Sequence, residues 1–304
     1  MISAAELTSL ATTHDIISIG MLADDLRRER HGAKTTFVRV ATTAADAGAP
    51  VSRPPAAGEL RIVGVPVSVA AAIERVREVA SLAEGAVVTG FSLADLEALS
   101  ERDGGPLRSL LDELRAAGLE LVAEAPMDRL QRPRRSIEAV AIAGLSLARL
   151  TVDTLTSPDP LPLLNAVAEL QRAVAVVRAF APLPRRVNPA APTTGFEDVK
   201  HVALARLAVD NVPSIQVDWS LYGPKLAQVA LTVGADDVDG VSAEDETTAG
   251  RRRAPLEEIR RNIIAAGQEP VERNGRFDIL RALDTIGVVP RSVEGRRVQD
   301  ERAR

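Results

Sequence analysis

Asp236, Asp237 and Asp239 stand close together near the C-terminus, and Glu244, Asp245 and Glu246 follow. Carboxylates at that density suit a hard divalent cation such as magnesium or calcium. The spacing is not that of a calcium loop, so it favours solvated acids at a strand end, and no metal site is expected. Just upstream lie Asp218, Trp219, Tyr222 and Lys225, including the only Trp and the only Tyr of the chain. Such a concentration of rare types marks either a ligand site or an ordinary strand–helix–strand corner. The ligand-facing candidates are therefore Asp218, Trp219, Tyr222, Lys225, Asp236 and Asp237. No residue is assigned a catalytic role.

The remaining chemistry-bearing residues give weaker signals. His14, His31 and His201 are isolated from one another. His201 follows Asp198 by one helical turn, close enough for a hydrogen-bonded pair. A surface or barrel-rim histidine is the favoured reading over proton transfer. The run Arg251, Arg252, Arg253 reads as a solvated loop rather than an anion site. There is no phosphate-binding loop ending in Gly-Lys-Ser/Thr, no pair of zinc-type histidines on a helix, and no Gly-x-Ser-x-Gly nucleophile turn. The chain contains no cysteine. That excludes disulfides, zinc-thiolate sites, cysteine nucleophiles and thiolate ligands supplied by the chain itself.

Composition narrows the class further. The chain has 304 residues, 46% apolar but only 2% aromatic, and a formal charge of −5. Its core must be built from Ala, Leu, Val and Ile. Too few stacking aromatics and an acidic balance argue against nucleic acid as a partner. The first residues lack a basic start followed by an apolar run, and the most apolar stretch, residues 139–152, is short and carries Arg149. No membrane association and a cytoplasmic location are the expectation.

The elements that must position these residues alternate. Residues 15–32 read as a helix and 35–40 as a strand. Residues 41–59, rich in Ala, Pro and Gly, read as a loop. Strands are then predicted at 60–67, 86–91, 119–126, 148–155, 179–184, 214–219 and 235–241. Helices are predicted at 68–85, 106–118, 134–146, 160–177, 195–211 and 223–234, with another at 256–266. Repeated β-then-α units argue for parallel strands with helical crossovers, and their number favours a (β/α) barrel, complete or partial, over an open sheet. The expected organisation is one barrel domain over residues 1–290 and a charged tail over 291–304.

Three stretches carry a resemblance: "EDVKHVALARLAVDNVPSIQVDW" (197–219), "GPKLAQVALTVGADDVDG" (223–240) and "AAGQEPVERNGRFD" (265–278). Together with "LADDLRRERHG" (22–32), they make the chain similar to the aminofutalosine synthases of the futalosine route to menaquinone. Those are radical S-adenosylmethionine enzymes related to the dehypoxanthinyl futalosine cyclases and the deazaflavin chromophore synthases. The resemblance implies a TIM-type barrel and, for the family, a [4Fe–4S] cluster on a Cys-x3-Cys-x2-Cys loop after the first strand. In this chain that place is taken by residues 40–59, without a thiolate. The family's glycine-rich turn is replaced by Glu124, Ala125 and Pro126, and its Tyr-Gly-His strand by residues 150–159, without those polar residues. The resulting expectation is no cofactor, and a non-catalytic partner or regulator of a cluster-bearing paralogue. The competing expectation is a non-radical barrel enzyme binding a nucleoside or a chorismate-derived aromatic acid.

Overall fold

The computed structural model describes residues 2–46, 48–157, 159–190, 192–245 and 253–280. The expected tail, residues 291–304, lies outside the described residues, as do Glu246, Arg251 and Arg252. Helices α1 (Ala4–Thr12) and α2 (Ile16–His31) lead into β1 (Lys34–Ala44). The chain continues through β2 (Glu59–Val63), α3 (Val69–Ser81), β3 (Val87–Ser92), α4 (Leu93–Arg102), α5 (Leu107–Ala117) and β4 (Leu121–Pro126). Next come α6 (Pro133–Ile142), β5 (Ser146–Val152), α7 (Leu161–Val174), β6 (Val177–Pro184), α8 (Gly195–Ala208) and β7 (Ser214–Asp218). The last elements are α9 (Trp219–Leu231), β8 (Asp237–Ser242), α10 (Pro255–Ala265) and β9 (Glu269–Arg273).

Local chemistry explains the boundaries. Ser68 caps α3 by accepting from the Ala71 N–H, and Thr194 forms a reciprocal capping box with Glu197 at the start of α8. In α5 the buried stripe Leu110, Leu111 and Leu114 recurs at helical spacing and joins the core, with α3, α4 and α6 as neighbours. Asp218 caps α9, which bends at Gly223 and Pro224, so the helix predicted from 223 is joined to a preceding turn.

All strands from β1 to β8 run parallel, each beside the next, and β1 also pairs with β8, which closes an eight-stranded (β/α) barrel. The expected TIM-type fold is thus present and complete. The layer between strands and helices is filled by Leu, Val, Ile and Ala, with Phe37, Phe91, Phe180 and Trp219 among the few aromatics. Burying such side chains contributes about 1.5–3 kcal/mol for each large one.

Two departures from the predicted pattern shape the site. The strand β1 runs on to Ala44, because residues 41–44 pair with Leu60 to Val63 of β2. Its connection to β2 then has no helix among the described residues of 45–58, whereas every later crossover contains one. Thr43 Oγ1 donates to the Pro50 carbonyl at 3.2 Å, and Val51 and Ala57 pack on the core. Second, β9 was not predicted. It pairs with the first half of β1, from Lys34↔Glu269 to Val38↔Arg273, just where β2 has not yet begun. β9 therefore fills the seam between β1 and β2 at the end of the barrel where the strands start. Beyond it, Gly275 donates to the Gly58 carbonyl at 3.1 Å, and Phe277 packs on Val87, Leu121 and Ala148.

Candidate functional site

The acids of residues 236–239 each take a different arginine. Asp236 accepts from Arg206 Nη2 and from the Ile215 N–H, the latter at 2.8 Å. Asp237 is gripped by Arg273 Nε and Nη2 at 2.6 and 2.7 Å, and also accepts from Gln216 and Thr36. Asp239 takes Arg61 through two bonds of 2.7 and 3.0 Å, and Arg149 at 2.6 Å. The flanking glycines have steric reasons. A Cβ on Gly234 would lie 2.8 Å from Arg206 Cβ, and one on Gly240 would lie 2.7 Å from Asp218 Oδ1. Both also have positive φ, +114° and +73°, which favours glycine. The acidic motif is thus a row of buried ion-pair anchors rather than a cation site. Among the described residues no cluster of three or more His, Asp or Glu could hold a metal ion.

Along the barrel interior these pairs join. Arg61 Nε donates to Glu59 at 2.7 Å, and Glu59 also accepts from Thr89 Oγ1 at 2.6 Å. Arg61, Arg149, Glu59 and Asp239 are all below a tenth exposed. Burial on its own would raise the Asp239 pKa, but the Arg149 and Arg61 guanidiniums outweigh it and hold the carboxyl far below the usual carboxylate range. Arg61 is raised well above the ordinary arginine value, its two carboxylate partners overcoming burial. Arg149 is lowered, first by burial and then by the neighbouring Arg61 charge. Of these two arginines, Arg149 is the less well compensated.

At the opposite end, where the strands finish, the pairing loosens. Arg185, just past β6, lies 3.0 Å from Glu124 and 3.7 Å from Asp218, while Arg149 Nε is 3.8 Å from Glu124. Arg149 Nε, Arg185 Nε, Thr151 Oγ1 and Ser92 Oγ are buried without a hydrogen-bond partner. They come from the ends of β3, β5 and β6, the face on which barrel enzymes build their sites. This mouth presents hydrogen-bond donors and positive charge, a chemistry suited to holding an anion.

The sequence-derived candidates fall at both ends of the barrel and in between. Asp218 is at the mouth, accepting from Ser220 Oγ at 2.7 Å and the Leu221 N–H at 3.1 Å. Trp219 is 5% exposed and part of the core. The Tyr222 hydroxyl donates to the Pro184 carbonyl at 2.8 Å, and burial raises its pKa. Lys225 is exposed on α9. Asp236 and Asp237 lie where the strands begin, so the structure does not bring them to Asp218. His201 makes no hydrogen bond to Asp198, and its Nε2 is buried without a partner. The residues missed by sequence reasoning are Arg61, Arg149, Glu59, Glu124, Arg185 and Arg273. The available signal was an arginine inside an otherwise apolar strand, as in "LRIV" and "ARLTV", which implies a buried carboxylate partner.

The eight-stranded (β/α) barrel is a fold shared with solved structures. Methylornithine synthase superposes with a TM-score of 0.65 at 11% identity, covering 89% of this chain and 94% of that one. A maturase of the [FeFe]-hydrogenase gives 0.64 at 12% identity, covering 89% and 73%. In sequence, residues 182–286 match the family described as CofH/MqnC C-terminal region. The aminodeoxyfutalosine synthase of Thermus thermophilus is 28% identical over 66% of this chain and 63% of its own length. That of Streptomyces coelicolor is 42% identical over 29% and 24%. The cyclic dehypoxanthine futalosine synthase of Streptomyces coelicolor is 28% identical over 56% and 47%. The matched part therefore spans less than two thirds of each of these relatives. The chain is thus similar to aminodeoxyfutalosine synthases and to CofH/MqnC-type proteins, most clearly over residues 182–286, as the resemblance implied.

These comparisons correct the expectation that no cofactor is involved. The relatives and fold neighbours are radical S-adenosylmethionine enzymes, a class that works with a [4Fe–4S] cluster and S-adenosylmethionine. The donor set of this chain is a separate matter. Residues 45–58, which follow β1, contain no thiolate, and neither does the rest of the sequence. These side chains do not fit the thiolate coordination of such a cluster. Among the described residues no helix is long and apolar enough to cross a membrane.

Proposed function

We propose that the chain is a cytoplasmic, aminofutalosine-synthase-like barrel without radical chemistry of its own, acting as a non-catalytic partner or regulator of a cluster-bearing relative in menaquinone biosynthesis. The observation that carries this reading is the barrel interior. Arg61, Arg149, Glu59 and Asp239 occupy it with buried ion pairs, and Arg61 is held by two carboxylates. Opening such a network to admit a substrate would uncover charges that are costly to leave unpaired. The helix-less connection at 45–58 is consistent with the same reading, because no thiolate there needs to be held. The test is anaerobic isolation of the tagged chain from its native host with iron analysis. A cluster-bearing relative should come down with it in stoichiometric amount, and the iron should follow that relative. Recovery of the chain alone would overturn the proposal.

A second reading is favoured by the unpartnered atoms of Arg149, Arg185, Thr151 and Ser92 at the mouth. In it the barrel is a non-radical enzyme acting on a chorismate-derived aromatic acid or a nucleoside, whose anionic group would meet those donors. Calorimetry with chorismate and with aminofutalosine, using the wild type and Arg185→Gln, separates the two readings. Binding that Arg185→Gln abolishes supports the second, and no heat from either ligand removes it.

A further inference from the structure

A cavity of about 430 Å³ lies outside the barrel, between α1, the start of α8 and the loops that follow β5 and β6. That size falls within the range of small-molecule sites, about 300–1,000 Å³. Neither Arg149 nor Arg185 lines it, so it is distinct from the mouth. Leu155, Phe196 and Leu204 supply apolar wall, and Lys200, His201 and Thr194 supply polar groups.

The charges on this wall are unbalanced in one direction. Lys200 Nζ donates to the Ala11 and Thr13 carbonyls, both at 2.6 Å, and no ion pair to a carboxylate is present for it among the described residues. An ammonium has three N–H donors, so one donor and the whole positive charge remain available. The first turn of α8 adds the partial positive charge of a helix N-terminus. The one acid among the lining residues, Glu197, is turned back into its capping box and accepts from the Thr194 N–H at 2.7 Å. Next along the same wall is His201, 6% exposed, with Nε2 buried and unpartnered. A buried polar nitrogen with no partner destabilises the fold, a cost that a bound ligand removes. Burial lowers its pKa to about 4, so at neutral pH the imidazole is uncharged and offers one hydrogen bond without adding charge.

We propose that this cavity binds a small aromatic acid, with the anionic group at Lys200 and the first turn of α8, the ring against Phe196 and Leu155, and a polar substituent hydrogen-bonded to His201. The site is independent of the barrel interior and does not rest on the partner reading above.

The test is a fluorescence titration of the full chain with 8-anilinonaphthalene-1-sulfonate, and with N-phenyl-1-naphthylamine as the same ring system without the charge. The sulfonate should bind at one site, be displaced by benzoate, and bind at least tenfold more tightly than the uncharged amine. His201→Phe and Lys200→Gln should each weaken it tenfold or more, and Arg185→Gln at the mouth should leave it unchanged. Because Lys200 also ties α1 to α8, Leu204→Trp is the companion variant. It fills the cavity without touching that tie, and circular dichroism verifies its fold. Equal affinity for the amine, or sulfonate binding untouched by both His201→Phe and Leu204→Trp, would overturn the proposal.

Discussion

The two ends of the barrel solve the burial of charge differently. Where the strands begin, Asp237 is met by Arg273, Gln216 and Thr36, and both guanidinium bonds from Arg273 are short. Where they finish, Arg185 divides itself between Glu124 and Asp218, and four buried polar atoms have no partner. The closed end is thus organised for stability. Buried atoms without a hydrogen-bond partner occur at both ends, Gln216 Oε1, Arg206 Nη1 and His31 Nε2 at the closed one, so what sets the mouth apart is the longer, shared and partly exposed pairing of Arg185.

This contrast can be broken most severely at Arg273. Arg273→Ala strands the Asp237 carboxylate in the interior and should cost about 3–5 kcal/mol, read by urea unfolding. A loss below about 1 kcal/mol would mean that the closed end is no tighter than the mouth.

Acid should act next, and outside both ends. His201 is held near 4 when folded against an ordinary 6.5. As pH falls below 6.5 the unfolded chain takes up a proton that the folded chain refuses. Stability therefore declines between pH 6.5 and 4, by about 3 kcal/mol from this group. Its cavity neighbours Glu197, Lys200 and His14 are unaltered in His201→Phe, so the variant should lose that part of the acid sensitivity in thermal melts compared across pH. An unchanged pH dependence would contradict the neutral, buried histidine.

Gly275→Ala tests the seam more gently. The added methyl would come within 2.9 Å of Val87 Cβ, and the strain should cost about 1–3 kcal/mol. The smallest effect is expected at the mouth. Arg185→Gln removes a partly exposed pair and should change stability by less than about 1 kcal/mol. A larger loss there would erase the distinction between the ends.

Much of this fold was legible in the sequence, and the exceptions share a cause. Alternating strands and helices after residue 60 could be read from periodicity and capping residues, because each helix packs one stripe on the sheet. The helix α4 escaped notice because Leu93, Ala94, Leu96, Glu97, Leu99 and Ser100 are all buried, which leaves no clean polar face. The strand β9 escaped because "EPVER" has weak strand character of its own and becomes a strand by pairing with β1. For the site, the acids of residues 236–239 were visible but their roles were not. Arg61 and Arg149 stand 178 and 90 residues from Asp239 in sequence, and only barrel closure brings them together. The cavity beside His201 was illegible for the same reason, since its walls come from three stretches far apart in sequence.

The seam-filling strand has a consequence for how the chain comes into being. The first strand is made before β2 to β8, but its partner at the closed end, residues 269–273, is made only after all of them. Until then the first half of β1 has an open edge, and exposed strand edges invite pairing with other chains. A nascent or truncated chain ending before residue 269 should therefore self-associate, whereas one reaching residue 280 can close on itself. The barrel can close through β1 and β8, but the seam beside the first half of β1 is sealed only when residues 269–273 arrive.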